Sequence, residues 1–130
     1  MMTKGMKDLA RKANRLIKKQ GYFLLHYDVV GSVKFAEKRG YADLYGRLEK
    51  FHALVNEKFK NCIVKKETGL NRELKKFRTI VGDSGGAYFF DSKVIIPITE
   101  LAEKTLPFRL RWGIAKNGWD RKSFEKKNMS

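Results

Sequence analysis

The chain is poor in cysteine, proline and histidine: it has one Cys, two Pro and two His in 130 residues. Because Cys62 stands alone, no internal disulfide and no cysteine-based zinc cluster can form, and with no signal peptide we expect a cytoplasmic protein. The low proline count argues against a disordered chain. No apolar run approaches the roughly 18 to 20 residues of a membrane span, so we expect no membrane partner.

Acidic residues are also scarce: 14 Asp and Glu stand against 29 Lys and Arg, which gives a net charge of +15. The excess of basic residues recurs in three stretches, Met1 to Gln20, Glu57 to Arg78 and Arg109 to Lys127. It favours polyanionic partners such as nucleic acid, nucleotides or an acidic protein. A solvated lysine-rich surface, as in many heat-tolerant proteins, accounts for the same composition.

Length and hydrophobic content predict one domain with one core. The apolar spacing from Met6 to Ile17 predicts an amphipathic helix closed by Gly21, and a strand should follow at Tyr22 to Val30. A helical stripe capped by Ser32 should continue to about Lys60, with Gly40 as a candidate break. We divide the chain into an N-terminal helix (1–21), a core (22–116) and a basic tail (117–130) that we expect to be loose.

Further along, Leu74 to Val81 alternates as a strand does, a GDSGG turn follows, and Ala87 to Phe90 should return as the second half of a hairpin. Pro97 can occupy the first turn of a helix, and Phe108 to Ala115 should be the last strand. Between these parts, Asn61 to Lys66 reads as a strand or a packed turn, and Glu67 to Asn71 as a loop. The order predicts an α+β fold, a ferredoxin-like palm (β-α-β-β-α-β) with an extra N-terminal helix.

Two aspartates stand at strand ends that this topology brings together. The first and third strands of the fold are antiparallel neighbours, so Asp28 and Asp83 should meet at one edge of the sheet, where two carboxylates suit a divalent cation and a nucleoside triphosphate. Gly31 and Ser32 open a helix beside Asp28, and its N–H groups can hold a polyphosphate. Two Mg²⁺ or Mn²⁺ ions would then activate a ribose hydroxyl and stabilise the leaving pyrophosphate. Taken singly, either aspartate could be an ordinary turn residue.

Histidine offers no comparable site. His26 reads as a satisfied core histidine, since no second histidine lies nearby, and His52 falls inside a helical pattern. We therefore expect no metal chemistry through histidine.

Three segments carry a resemblance to a known family. YDVVGSVKFAEKRGYADLYGRLEKFHALVNEKF is similar to the opening of class III nucleotidyl cyclase catalytic domains, whose first strand ends in an aspartate. TIVGDSGGAYFF resembles their Gly-Asp hairpin, and LPFRLRWGIAKNG resembles their last core strand. The resemblance spans about Phe23 to Gly118.

The resemblance implies an enzyme that converts a nucleoside triphosphate into a cyclic nucleotide, or into a cyclic or linear oligonucleotide as in diguanylate-cyclase and CRISPR-polymerase palms. Only about a dozen residues follow the last strand, where the family has a helix with a transition-state Asn and Arg, so we expect a minimal palm that forms a homodimer. The implied site comprises the metal ligands Asp28, Asp83 and the backbone of Val29; triphosphate contacts at Val30, Gly31, Ser32 and Val33; and base or transition-state contacts at Arg78, Arg109 and Arg111.

Two other functions fit the same element order. RNA-recognition modules share it and display aromatic residues on their central strands, so Tyr88 and Phe90 could stack on RNA bases. A catalytically inactive palm that only binds nucleotides, or a scaffold protein, would have the same order of elements.

Overall fold

The computed structural model describes residues 3–65 and 72–117. Within these ranges the chain forms four α-helices and a four-stranded antiparallel sheet, which confirms the predicted α+β class. The elements are α1 (Lys4–Gln20), β1 (Phe23–Val29), α2 (Ser32–Arg39), α3 (Tyr41–Phe59), β2 (Arg78–Val81), β3 (Ser84–Phe89), α4 (Ile95–Thr105) and β4 (Leu110–Ala115). None of the helices in the described ranges is long and apolar enough to cross a membrane.

The sheet has the strand order β2-β3-β1-β4, so β1 lies at the centre between β3 and β4. Along β1, Asp28 pairs with Ser84 on one side and with Arg111 on the other. Nearer the middle of the strand, His26 pairs with Gly86 and Gly113. Side chains that pair across neighbouring strands share a face of the sheet.

The helices supply the core on one face of the sheet. Buried residues of α3 and α4 form one cluster with Phe23, Leu25, Tyr27 and Val29, the alternate residues of β1. Leu24, on the other face, packs instead with a smaller group that includes Leu74 and Tyr88. Because side chains alternate along a strand, His26 and Asp28 share the face of Leu24. We call this second side the open face; the smaller cluster covers its Leu24 end.

Helix α1 begins where the Thr3 hydroxyl accepts a hydrogen bond from the Met6 N–H at 3.2 Å. It ends at Gly21, which has φ 90° and donates its N–H to the Ile17 carbonyl at 2.8 Å. Glycine adopts this left-handed conformation without the steric cost that a Cβ brings. The predicted closure at Gly21 is therefore confirmed, and Ala13 is buried in the main core.

The long helical stripe is divided in two, as the sequence indicated at Gly40. That residue has φ 88° and ψ 153°, which ends α2 before α3 starts at Tyr41. The predicted cap by Ser32 is wrong: Ser32 is the first residue of α2, and the capping position is held by Gly31, which has no side chain to bond the free N–H groups.

The strand predicted from Leu74 to Val81 is shorter than expected, because β2 begins only at Arg78. A 3-10 turn covers Arg72–Lys75, and Leu74 packs on the open face with Tyr88. Both backbone groups of Phe77 are bound by the Asn56 side chain of α3, the N–H at 2.7 Å and the carbonyl at 2.8 Å. These tertiary contacts hold the segment out of the sheet.

Residues after α3 occupy part of the space beside β3. The sequence allowed either a strand or a packed turn at residues 61–66. A 3-10 turn is observed at Lys60–Cys62, and it is followed by a single β-bridge between Ile63 and Phe89. The Val64 N–H donates to the Tyr88 carbonyl at 2.9 Å. The loop predicted at residues 67–71 and almost all of the predicted tail lie outside the described residues.

The observed starts of β3 and β4 differ from the predicted ones by two or three residues. Strand β3 starts at Ser84 rather than at Ala87, because the two glycines assigned to the turn pair with β1. The last strand begins at Leu110 rather than at Phe108. Pro97 lies in the first turn of α4, as predicted.

Candidate functional site

The two aspartates lie at one edge of the sheet on neighbouring strands. Asp28 is the next-to-last residue of β1 and pairs with Ser84, the first residue of β3. Asp83 immediately precedes Ser84 in the turn that joins β2 to β3, where Gly82 adopts φ 54°. Both side chains belong to partly exposed residues. The register therefore brings together the two strand ends that the sequence singled out.

Each carboxylate also shifts the pKa of a different residue of β1. Burial lowers the pKa of His26, and the charge of Asp28 opposes that shift. Burial raises the pKa of the Tyr27 hydroxyl, and the charges of Glu49 and Asp83 raise it further. The register places both aspartates at the same edge of the sheet.

The segment after β1 combines an exposed surface with a helix start. Val29 is buried, whereas Val30 and Val33 are 39% and 57% exposed. The N–H of Val30 donates to the Arg109 carbonyl at 2.9 Å, so this amide already has a partner and is not a free phosphate donor. The first-turn N–H groups of α2, at Ser32 and Val33, have no acceptor within the helix itself. They belong to the helix that begins four residues after Asp28.

The predicted arginines are distributed around this edge. Arg111 is the cross-strand partner of Asp28 and is exposed on the open face. Arg78 pairs with Gly86, which puts it on the same face from the other side of β1, and its Nε donates to the Thr79 carbonyl at 3.4 Å. Arg109 precedes β4. In the described ranges, no salt bridge within 4 Å joins these arginines to the two aspartates.

The carboxylates of Asp28 and Asp83 suit a cation that binds together with phosphate groups. Across residues 3–65 and 72–117, no group of three or more His, Cys, Asp or Glu side chains could hold a metal ion. Mg²⁺ in proteins is commonly held by only one or two carboxylates and completes its shell with water and substrate phosphates. Asp28 and Asp83 fit that mode, with main-chain oxygens of the turn as further hard donors.

The glycine pair of the GDSGG motif has a packing role that the sequence did not reveal. A Cβ on Gly85 would lie 2.7 Å from the Tyr27 hydroxyl and 2.7 Å from the Arg78 carbonyl oxygen. A Cβ on Gly86 would overlap the Leu25 carbonyl oxygen and lie 2.9 Å from the Cα of His26. Both glycines are therefore needed for the close approach of β3 to its neighbours, and neither belongs to a phosphate-binding turn.

A buried pair beneath the site was also missed. The hydroxyl of Tyr27 is hydrogen-bonded to Nε2 of His52, which is 4% exposed and lies among the aromatic rings of Phe51 and Phe77. Burial lowers the pKa of His52 to about 4, so the imidazole is neutral at pH 7. Its Nδ1 lies 3.9 Å from the Glu49 carboxylate, and with a neutral ring this contact is not an ion pair at that pH.

The His52 shift predicts acid instability. The pKa of His52 falls from 6.5 in the unfolded chain to about 4 in the folded one, so the unfolded state binds more protons between these values and stability declines as the pH drops through this window. At 1.36 kcal/mol per pKa unit, we expect a loss of about 3 kcal/mol between pH 7 and pH 4. Urea unfolding at the two pH values measures it.

The control for this prediction is His52→Gln, which does not titrate and can still bond Tyr27. It should lose about 3 kcal/mol less than the parent protein over the same pH range. Equal losses in the two proteins would assign the pH dependence to other groups.

The open face does not present Tyr88 for base stacking. Tyr88 is 2% exposed, packs with Leu24 and Leu74, and meets Tyr22 edge to face at 5.5 Å. Phe90 is 48% exposed but follows the end of β3. An RNA-recognition surface of the kind considered from the sequence would need accessible rings in the middle of the sheet.

No protein-family model, curated protein or solved structure matches the chain.

Proposed function

We propose that the protein is a palm-type nucleotidyl cyclase or nucleotidyltransferase that acts on a nucleoside triphosphate with Mg²⁺ or Mn²⁺. The observation that carries the proposal is the pairing of Asp28 with Ser84, which sets Asp28 beside the turn that holds Asp83. The strand order β2-β3-β1-β4 supports it, because this is the antiparallel order of a ferredoxin-like sheet.

In this proposal each part of the edge has one task. The carboxylates of Asp28 and Asp83 hold two cations, whose chemistry is to lower the pKa of a ribose hydroxyl and to neutralise the phosphates. The first-turn N–H groups of α2 orient phosphate oxygens. Arg111 and Arg78 supply positive charge from both sides of β1 as negative charge develops on the phosphoryl group. The products are pyrophosphate and a cyclic nucleotide or an oligonucleotide.

A direct test is to incubate the protein with each of the four NTPs and Mg²⁺ or Mn²⁺, and to identify the products by mass spectrometry. We expect pyrophosphate and a cyclic or linear nucleotide product from at least one NTP, and none in the presence of EDTA. Calorimetric binding of NTP without any product would identify an inactive nucleotide-binding palm. Absence of both binding and product would overturn the proposal.

The RNA-binding alternative makes a different prediction for the same protein. Affinity for single-stranded RNA would fall steeply with salt, because each phosphate contact releases counterions. It would also be unaffected by Asp28→Ala. Tight RNA binding of that kind, with no NTP product, would replace the proposed function.

A further inference from the structure

Helix α1 presents a continuous basic surface to solvent. Ala13 is buried in the main core, and the other apolar residues from Leu9 to Ile17 pack against the same core. At 3.6 residues per turn, the basic residues fall within an arc of about 140° centred opposite Ala13. All seven of them are exposed: Lys4, Lys7, Arg11, Lys12, Arg15, Lys18 and Lys19. One side of the helix is therefore committed to the core, and the other carries only polar side chains.

Little of this positive charge is neutralised by the protein itself. Asp8 is the one acid within the arc, and its carboxylate lies 3.6 Å from Arg11 in an exposed pair. Among residues 3–65 and 72–117, no other salt bridge involves α1. The Ser92 hydroxyl donates to Asn14 at 2.6 Å, which brings the exposed Lys93 to the flank of the helix. From Lys4 to Lys18 the basic row extends about 21 Å at 1.5 Å per residue.

The chemistry of the surface favours a phosphate backbone over a membrane or a protein. Helices that lie on membranes insert an apolar face, whereas the apolar face of α1 is already packed in the core. The centres of protein interfaces are rich in aromatic residues and poor in Lys, but this surface has five lysines and no aromatic side chain. Nucleic acid requires neither feature, because Lys and Arg contact its phosphates through charge.

We propose that the exposed face of α1 binds the phosphate backbone of a double-stranded nucleic acid without reading its sequence. A duplex is favoured over a single strand, because proteins that hold single strands add aromatic rings on which bases stack, and α1 has none. A duplex also carries one negative charge per roughly 1.7 Å of its axis, so a straight basic row meets several phosphates at once. The surface uses no residue of the candidate site, and the inference is independent of the proposed function.

The test is fluorescence anisotropy of the whole chain with labelled RNA and DNA duplexes of one sequence. Arg11→Gln/Arg15→Gln/Lys18→Gln removes three charges from the row and keeps the helix, as circular dichroism checks, because Gln is close to Lys and Arg in helix propensity. We expect the affinity at about 0.1 M salt to fall at least about tenfold, and the slope of log K against log salt to become shallower by about 2 to 3, since each phosphate contact contributes about 0.9.

The matched control removes the same three charges from other helices. Lys38, Lys50 and Lys58 are exposed on α2 and α3. Lys38→Gln/Lys50→Gln/Lys58→Gln should keep most of the parent affinity and the parent salt slope, because the counterions released on binding are those displaced at the contact surface. Equal losses in the two triple variants would assign the binding to net charge and overturn the inference.

The remaining outcomes identify the partner. Equal affinity for the two duplexes would support binding to the shared backbone, and preference for RNA or DNA would support it and name the source. Absence of duplex binding at low salt would overturn the inference, and so would binding to phosphatidylcholine–phosphatidylserine vesicles or to polyglutamate in its place. Asp28→Asn should leave duplex binding unchanged, so a failure of NTP turnover and a failure of this inference are separate results.

Discussion

Replacement of Asp28 by Asn should reduce the affinity for Mg²⁺·NTP by at least about tenfold and remove product formation. Asn matches Asp in size and keeps one oxygen acceptor, but it lacks the charge that a divalent cation needs from so small a ligand set. Even loss of an outer-shell partner of a metal ligand typically costs about 10- to 100-fold. Asp83→Asn should have a similar effect, because Asp83 is the second acidic ligand proposed at this edge.

Asp8→Asn is the matched control for both variants. Asp8 lies on α1 and is exposed, and its carboxylate is 3.6 Å from Arg11 in a surface pair that contributes little to stability. Its replacement should change neither the fold nor nucleotide affinity. Unchanged NTP affinity in both site variants, measured by calorimetry on folded protein, would remove the cation site from consideration.

Gly86→Ala should destabilise the protein by at least about 3 kcal/mol, at the upper end of the usual cost of overpacking. The added methyl group would overlap the carbonyl oxygen of Leu25, and 2.9 Å separates it from the Cα of His26. Both obstacles are backbone atoms of the central strand, so relief requires β1 and β3 to move apart. Chemical denaturation measures the change in the free energy of unfolding.

Gly46→Ala makes the same chemical change, but we expect the opposite effect on stability. Gly46 is exposed on α3, and a Cβ there has nothing within 4 Å. Alanine is favoured over glycine inside a helix by up to about 1 kcal/mol, so this variant should be stabilised. If Gly86→Ala proved as stable as the parent protein, the close contact between β1 and β3 would be refuted.

Local sequence patterns predicted the elements whose structure depends on residues within the element itself. The helix before Gly21, the central strand and the break at Gly40 follow from periodicity and from glycine, and each is observed. The proximity of Asp28 to the start of β3 followed from the element order, because a hairpin after the long helix has only a few ways to join the central strand.

The features that were missed depend on contacts between distant segments. Alternation alone cannot show that the Asn56 side chain binds the backbone of Phe77 and delays the start of β2. Nor can spacing show that Gly85 makes room for Tyr27, or that His52 is the partner of the same tyrosine. These contacts link residues far apart in sequence, and tertiary packing overrides local propensity at such places.

The position of β4 at the outside of the sheet limits how two copies could associate. An edge strand offers unpaired backbone groups to any similar strand, and charged side chains on it discourage such pairing. Arg109 immediately precedes this strand, and Arg111 is its second residue. A pairing of two β4 strands that sets their starts side by side would bring the arginines of both molecules together, and like charges facing each other across strands are destabilising. The homodimer expected from the sequence should therefore avoid this pairing, which leaves the edge with Asp28 and Arg111 accessible to small anionic ligands.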